Sequence, residues 1–356
     1  MRTWALALTG VLLGCSSDSF TPPPDASAQD VVTSDVADAA DCTDTKSDPK
    51  NCGECGHGCG LLGKCISGTC VADVVSNTGP TTCVDLDVGN VYWAGGNIQP
   101  GKAPKLNPKN AVYGTADVYS TCRLIGTNFY VIQSGAGLVM SLKTSDLSFF
   151  TYVANGGQQG ASEMAVLGTV NGAAWLLPAT GKVVSCPAPP CGATPNDVAT
   201  GEAGPSSIAV DATHIYWASL GAGASDGAIK RRLRANIGPV DTVLAGIARP
   251  VAIALDGNDV FFGREDGTIA TIPKSGGTPQ LLAQDVAPGA FHMTTDATHV
   301  YWTNTGAGTV NRVKKSGGAI LPLAIQQTKP WDIAVDATDV YWTTNSNCGG
   351  VFRVNK

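Results

Sequence analysis

One phrase recurs along the chain. Asp296-Ala-Thr-His-Val-Tyr-Trp-Thr-Asn304 has near copies in Asp211-Ala-Thr-His-Ile-Tyr-Trp-Ala-Ser219 and Asp336-Ala-Thr-Asp-Val-Tyr-Trp-Thr-Thr344. Asp256-Gly-Asn-Asp-Val-Phe-Phe-Gly-Arg264 and Asp87-Val-Gly-Asn-Val-Tyr-Trp-Ala-Gly95 are looser versions. Two degenerate copies, Leu124-Ile-Gly-Thr-Asn-Phe-Tyr-Val-Ile132 and Leu167-Gly-Thr-Val-Asn-Gly-Ala-Ala-Trp175, fill the long gap between the first and the next. The anchors then fall at 87, 125, 169, 211, 256, 296 and 336, spaced 38 to 45 residues apart. That period is the length of a four-stranded propeller blade, so the chain is expected to be all-β, a seven-bladed β-propeller.

Within the sixth repeat, Phe291–Thr295, Val300–Asn304, Gly308–Lys314 and Ile320–Ile325 read as strands A to D, each bounded by Gly, Pro, Asn or Asp turn chemistry. The Asp that opens each phrase can accept hydrogen bonds from the backbone of its own turn. The last repeat ends after its third strand. Residues 72–77, which read like the D strand at Asn196–Thr200, are expected to supply the fourth and so close the ring without an open edge. The repeated Tyr-Trp pairs read as core between blades.

Composition agrees with this class. The sequence holds 43 Gly and 21 Pro in 356 residues, and no long stretch with helical periodicity. With 15% charged residues and a net charge of −6 it lacks the basic surface that nucleic acid demands.

The N-terminus reads as an address. Met1-Arg2 precedes an apolar run, Trp4 to Leu13, too short to span a bilayer. The run stops at Leu12-Leu13-Gly14-Cys15, which resembles a bacterial lipobox; the resemblance implies a signal peptide over 1–14 and a diacylated Cys15. Residues 16–41 contain six Asp, no Lys or Arg and one aromatic, the composition of a solvated tether. Together these imply export and a lipid anchor in the cell envelope, at the outer membrane, since two or three acyl chains hold where one does not.

Residues 42–70 hold Cys42, Cys52, Cys55, Cys59, Cys65 and Cys70 among many glycines. Cys52-Gly-Glu-Cys55 beside His57 has the look of half a zinc site. An exported compartment is oxidising, however, and six cysteines in so small a module favour three disulfides. The run from Asp48 to Cys59 resembles a Cys-rich module of exported myxobacterial proteins. The propeller follows over 71–356. There Cys186 and Cys191 should close a C–D hairpin. Cys83 and Cys122 fall on adjacent inner strands and can bridge the first two blades, with Cys348 a competitor for either.

The Tyr-Trp core resembles the YWTD blades of low-density-lipoprotein-receptor-type propellers over residues 72–356. Thr303 and Thr343 match that motif's third position, and Asn304 and Thr344 stand where it has Asp. Propellers of that kind have six blades and seven are counted here, so the resemblance implies the fold alone.

Individuality should lie along the inner strands and on the face where they begin. Counting four and two residues before each anchor gives rows of small or polar residues, and the row between them is apolar. This alternation suggests one side facing the channel and the other packing between blades. The polar exceptions pair up: His292 with Asp332 at one level, and Asp85 with Arg123 in a channel ion pair below. At the mouth, Phe291 and Trp331 stand near Arg249 and Lys329, with Arg264 in a loop opening on the same face. This is an expected binding patch.

No catalytic motif, cofactor motif or metal set emerges. The expectation is a monomeric, non-catalytic module binding an envelope or extracellular protein or glycan, with the membrane reached through the N-terminal lipid. The alternative is a propeller enzyme of lyase or lactonase type centred on His292. Streptogramin B lyase uses a channel-face His with Mg²⁺, and His292 is the one counterpart here. The six-bladed calcium-dependent lactonases need several acidic and amide ligands at the axis, and only Asp332 and Asp85 qualify here, which is too few.

Overall fold

The computed structural model describes residues 65–66, 69–70, 72–76 and 78–356, apart from 107–110, 115–116, 168–171, 236–237, 286–288 and 347–348. The signal segment 1–14, the tether 15–41 with Cys15, and Cys42, Cys52, Cys55, Cys59 and Cys348 lie outside the described residues. Cys65–Ile66 and Thr69–Cys70 pair as a short antiparallel hairpin whose side chains are likewise outside them.

Among the described strands seven four-stranded antiparallel sheets form the blades of a β-propeller, six of them running inner to outer along the chain. The inner strands are Cys83–Leu86, Thr121–Ile125, Met164–Val166, Pro205–Val210, Pro250–Asp256, Ala290–Thr295 and Pro330–Val335. The sixth blade continues through His299–Asn304, Thr309–Lys314 and Leu321–Ala324, each within a residue of the reading from turn chemistry.

The seventh blade is closed by the other end of the chain. Asp73–Ser76 runs antiparallel to Val351–Asn355, with Val74 opposite Phe352 and Asp73 opposite Arg353. Arg353 also reaches the Asp73 carboxylate at 3.1 Å. Val75, buried, packs with Val84, Trp93, Tyr341 and Val351, so the closing strand joins the core between the last blade and the first.

The alternating rows divide differently from the expectation. Each sheet stands on edge around the axis, so its two faces look at the preceding and following blades. Ile253 packs with Tyr216 and Phe262 in the interface with the fourth blade, whereas Ala254 packs with Val300 and Trp302 of the sixth. Neither row belongs to the channel alone. The channel is walled by the edges of the inner strands, and both rows touch it.

Five tryptophans, Trp93, Trp175, Trp217, Trp302 and Trp342, are fully buried between blades, which is where the repeated dipeptide is spent. The opening Asp of the phrase holds the A–B turn. In the sixth blade Asp296 Oδ1 accepts the N–H groups of Thr298 and His299, both at 2.8 Å, and Oδ2 accepts the Tyr301 hydroxyl at 2.8 Å.

A lysine from the next blade completes four of the five turns that open on Asp. Lys356 reaches Asp296 at 2.7 Å, Lys105 reaches Asp336 at 2.7 Å, Lys274 reaches Asp211 at 2.9 Å, and Lys315 reaches Asp256. Each ammonium also lies 5.3 to 5.8 Å from the centre of the neighbouring Tyr or Phe ring, within cation–π range.

Two disulfides add covalent ties. Cys83–Cys122 joins the first and second blades at their inner strands. Cys186–Cys191 closes the loop after the third strand of the third blade. That loop lies along the outermost strand of the second blade: Cys191 N–H donates to Val153 O at 2.8 Å and Asn155 N–H to Gly192 O at 3.0 Å. Part of an otherwise open sheet edge is covered in this way.

Candidate functional site

The inner strands bring charged side chains from five blades to one channel. Asp85 comes from the first blade, Arg123 from the second, His292 from the sixth and Asp332 from the seventh; Glu163, just before the inner strand of the third, completes the set. His292 Nε2 meets Glu163 Oε1 across the ring at 2.9 Å, and its Nδ1 stands 3.7 Å from Asp332 Oδ1. Arg123 Nη1 donates to Asp332 Oδ2 at 3.0 Å, and Nη2 lies 3.9 Å from Glu163.

The partnerships therefore differ from the pairs expected. Arg123 bonds Asp332 rather than Asp85, because the Asp85 carboxylate is already occupied by two backbone N–H groups, of Leu86 and Leu124, both at 2.8 Å. His292 lies closer to Glu163 than to Asp332. The Asp332 carboxylate is held by Val84 N–H and Ile333 N–H, each at 3.0 Å, besides Arg123. Glu163 was missed because its blade carries the most degenerate phrase and it precedes the rows counted from the anchor. A signal was present: it is the only acidic residue between Asp146 and Asp197.

Burial and charge set the character of this cluster. Burial pushes the Asp85 carboxyl above its ordinary range, against the pull of Arg123 and the two N–H donors. Burial alone would make Arg123 easier to deprotonate, but Asp332, Glu163 and Asp85 outweigh it and hold the guanidinium charged. Below and beside the cluster lies a cavity of about 450 Å³. Among the described residues no three of His, Cys, Asp and Glu converge in the way a metal ion needs.

The rim has a separate construction. Trp331 is half-buried and stands edge-on to the His292 ring, centroids 5.4 Å apart. Lys329 is exposed, two residues before it. Arg249 pairs with Glu265, and Arg264 with Asp266 at 2.6 Å. Phe291 belongs to the inner strand of the sixth blade, but its side chain lies outside the described residues.

Arg249 and Lys329 share a backbone feature. Both have positive φ, 32° and 52°, at the position just before an inner strand, where the fourth and sixth blades have Gly204 (66°) and Gly289 (105°). The conformation has a local use. The carbonyls of Gly204, Arg249 and Lys329 accept the N–H groups of Leu220, Glu265 and Asn345 in the B–C loops of their blades, at 2.9, 3.0 and 2.9 Å. These bonds fix D–A and B–C loops on one face. Glycine meets the requirement without strain, whereas a long side chain there costs on the order of 1 to 3 kcal/mol.

Likeness to solved structures agrees on architecture. A streptogramin B lyase structure superposes with a TM-score of 0.65 at 12% identity, over 80% of this chain and 98% of that one. The computationally designed Ika8 protein gives 0.58 at 12%, again over 80% and 98%. A nidogen/laminin complex gives 0.54 at 10%, over 68% of this chain and 96% of that one. No family model and no curated protein matches the sequence. At these identities the likeness shows a β-propeller, shared by an enzyme, a designed ring and a component of a complex.

Proposed function

We propose that this protein is an exported lipoprotein, anchored through Cys15 at the outer membrane, whose propeller binds an envelope or extracellular protein or glycan without catalysis. The observation that supports it is the pair of long cations at left-handed positions. Arg249 and Lys329 stand where sister blades use glycine, on the face where Trp331 borders the channel. Strained residues persist where something other than folding selects them.

Arg249→Gly and Lys329→Gly should therefore leave thermal stability unchanged or raised while weakening partner capture, as should Trp331→Ala. The assay is affinity capture from envelope and extracellular fractions. Identical capture profiles for wild type and all three variants would count against the rim.

A second reading, an enzyme of lyase or lactonase type, is favoured by His292 standing between Glu163 and Asp332 beside the cavity. Metal analysis of the purified protein separates the two. An equimolar divalent ion that is lost in His292→Ala supports the enzyme.

A further inference from the structure

The cavity has two unlike ends. Glu163, His292 and Asp332 stand nearer the start of the inner strands, and Asp85 and Arg123 lie one residue before Leu86 and Leu124. At the other end, the residue that closes five of the seven inner strands or precedes their A–B turns is aliphatic: Leu86, Leu124, Val210, Leu255 and Val335. Each packs against the core between blades, yet each remains only partly buried and lines the same cavity. Aliphatic surface facing water in a concave channel is unfavourable and is relieved by an apolar occupant. About 450 Å³ falls within the range of small-molecule sites, roughly 300 to 1,000 Å³.

The polar end selects the head group. Three carboxylates, Asp85, Glu163 and Asp332, face one guanidinium and one imidazole, and the guanidinium is already engaged by Asp332. With three acids against two bases around the cavity, a cationic head suits this cluster better than an anionic one.

We propose that the axial cavity binds a small aliphatic amine, its alkyl chain against the aliphatic ring and its ammonium among the channel carboxylates. This site lies inside the channel and does not depend on the rim residues, so its failure and theirs are read separately. The full chain carrying Cys15→Ser, which has no acyl group to compete, would be titrated calorimetrically with n-butyl-, n-hexyl- and n-octylammonium and with octanoate.

Affinity should rise about fourfold per methylene, the tenfold-per-1.4 kcal/mol equivalent of about 0.8 kcal/mol for each buried CH₂. Octanoate should bind at least tenfold more weakly than octylammonium. Leu255→Ser and Glu163→Gln should each weaken octylammonium at least fivefold, with far-UV circular dichroism reporting the fold. The ligand series itself needs no variant. The proposal is overturned by affinity independent of chain length, by octanoate binding as tightly as the amine, by no saturable binding below millimolar concentration, or by tight binding that both folded variants leave unchanged.

Discussion

Arg123 is the residue on which the channel electrostatics turn. Its side chain is only a quarter exposed, and Asp332 beneath it is 4% exposed, so removing the cation strands a buried carboxylate. Arg123→Met is expected to destabilise the fold by about 3 kcal/mol, the scale for breaking a buried pair from one side. Adding Asp332→Asn should recover only part of that loss, because the neutral amide needs no counter-charge but its one oxygen can accept only one of the N–H groups of Val84 and Ile333. Urea unfolding of the two single variants and the double variant measures the coupling. Sequence reading found Arg123, Asp85, His292 and Asp332 as polar exceptions to an apolar repeat. It paired Arg123 with Asp85 rather than Asp332 and left out Glu163, because pairing depends on which side chains cross the axis. His292 and Glu163 belong to the sixth and third blades and are separated by 129 positions. No local spacing encodes that approach.

At the level of the strand and its turn, the repeated phrase is a clamp between neighbouring blades. Asp296 illustrates its chemistry. Burial alone would raise this carboxyl, but Lys356, the N–H groups of Thr298 and His299, and the Tyr301 hydroxyl together hold it well below the ordinary carboxylate range. Asp211 is depressed in the same manner by Thr213, His214 and Lys274, and Asp336 by Lys105 and its own turn. A depressed folded-state value contributes stability fully above the unfolded carboxylate value, about pH 4, and loses it as pH falls towards the folded-state value. Acid unfolding should therefore begin below about pH 4. Lys274→Met and Lys356→Met should each cost up to about 1 kcal/mol at neutrality, as partly exposed ion pairs do, and the difference from wild type should shrink as pH falls below about 4. Melting temperature followed from pH 7 to pH 2 tests both statements. The Asp and Tyr of the clamp were visible in the sequence as a repeat. The lysines recur 18 to 20 residues after the anchors at 87, 256, 296 and 336, but the alignment on the first two strands did not extend to them.

Over the whole molecule, the period of the phrase was enough to count the blades, and the truncated last repeat was enough to find the strand that completes it. The first follows from a repeat one blade long, and the second from the need of the last sheet for a fourth strand. The face alternation was misread because period 2 says that a strand has two sides without saying what each side meets. The covalent ties make a quantitative contrast. Cys83 and Cys122 are 39 positions apart and Cys186 and Cys191 only 5. On loop-closure entropy, replacing the first pair by Ser should cost about 4 kcal/mol and the second about 2 kcal/mol. Denaturant unfolding of the two double variants gives the comparison. The smaller pair should show an additional effect, faster aggregation, because its loop shields part of the outer strand Phe149–Asn155.

The strand Asp73–Ser76 is the outermost of its blade, and the chain upstream of it leads to the remaining N-terminal residues. Any pull transmitted from that direction arrives first at this strand, which pairs with Val351–Asn355 and packs through Val75 against the first blade. The Arg353–Asp73 contact is the latch that a tensile load from that side would have to break.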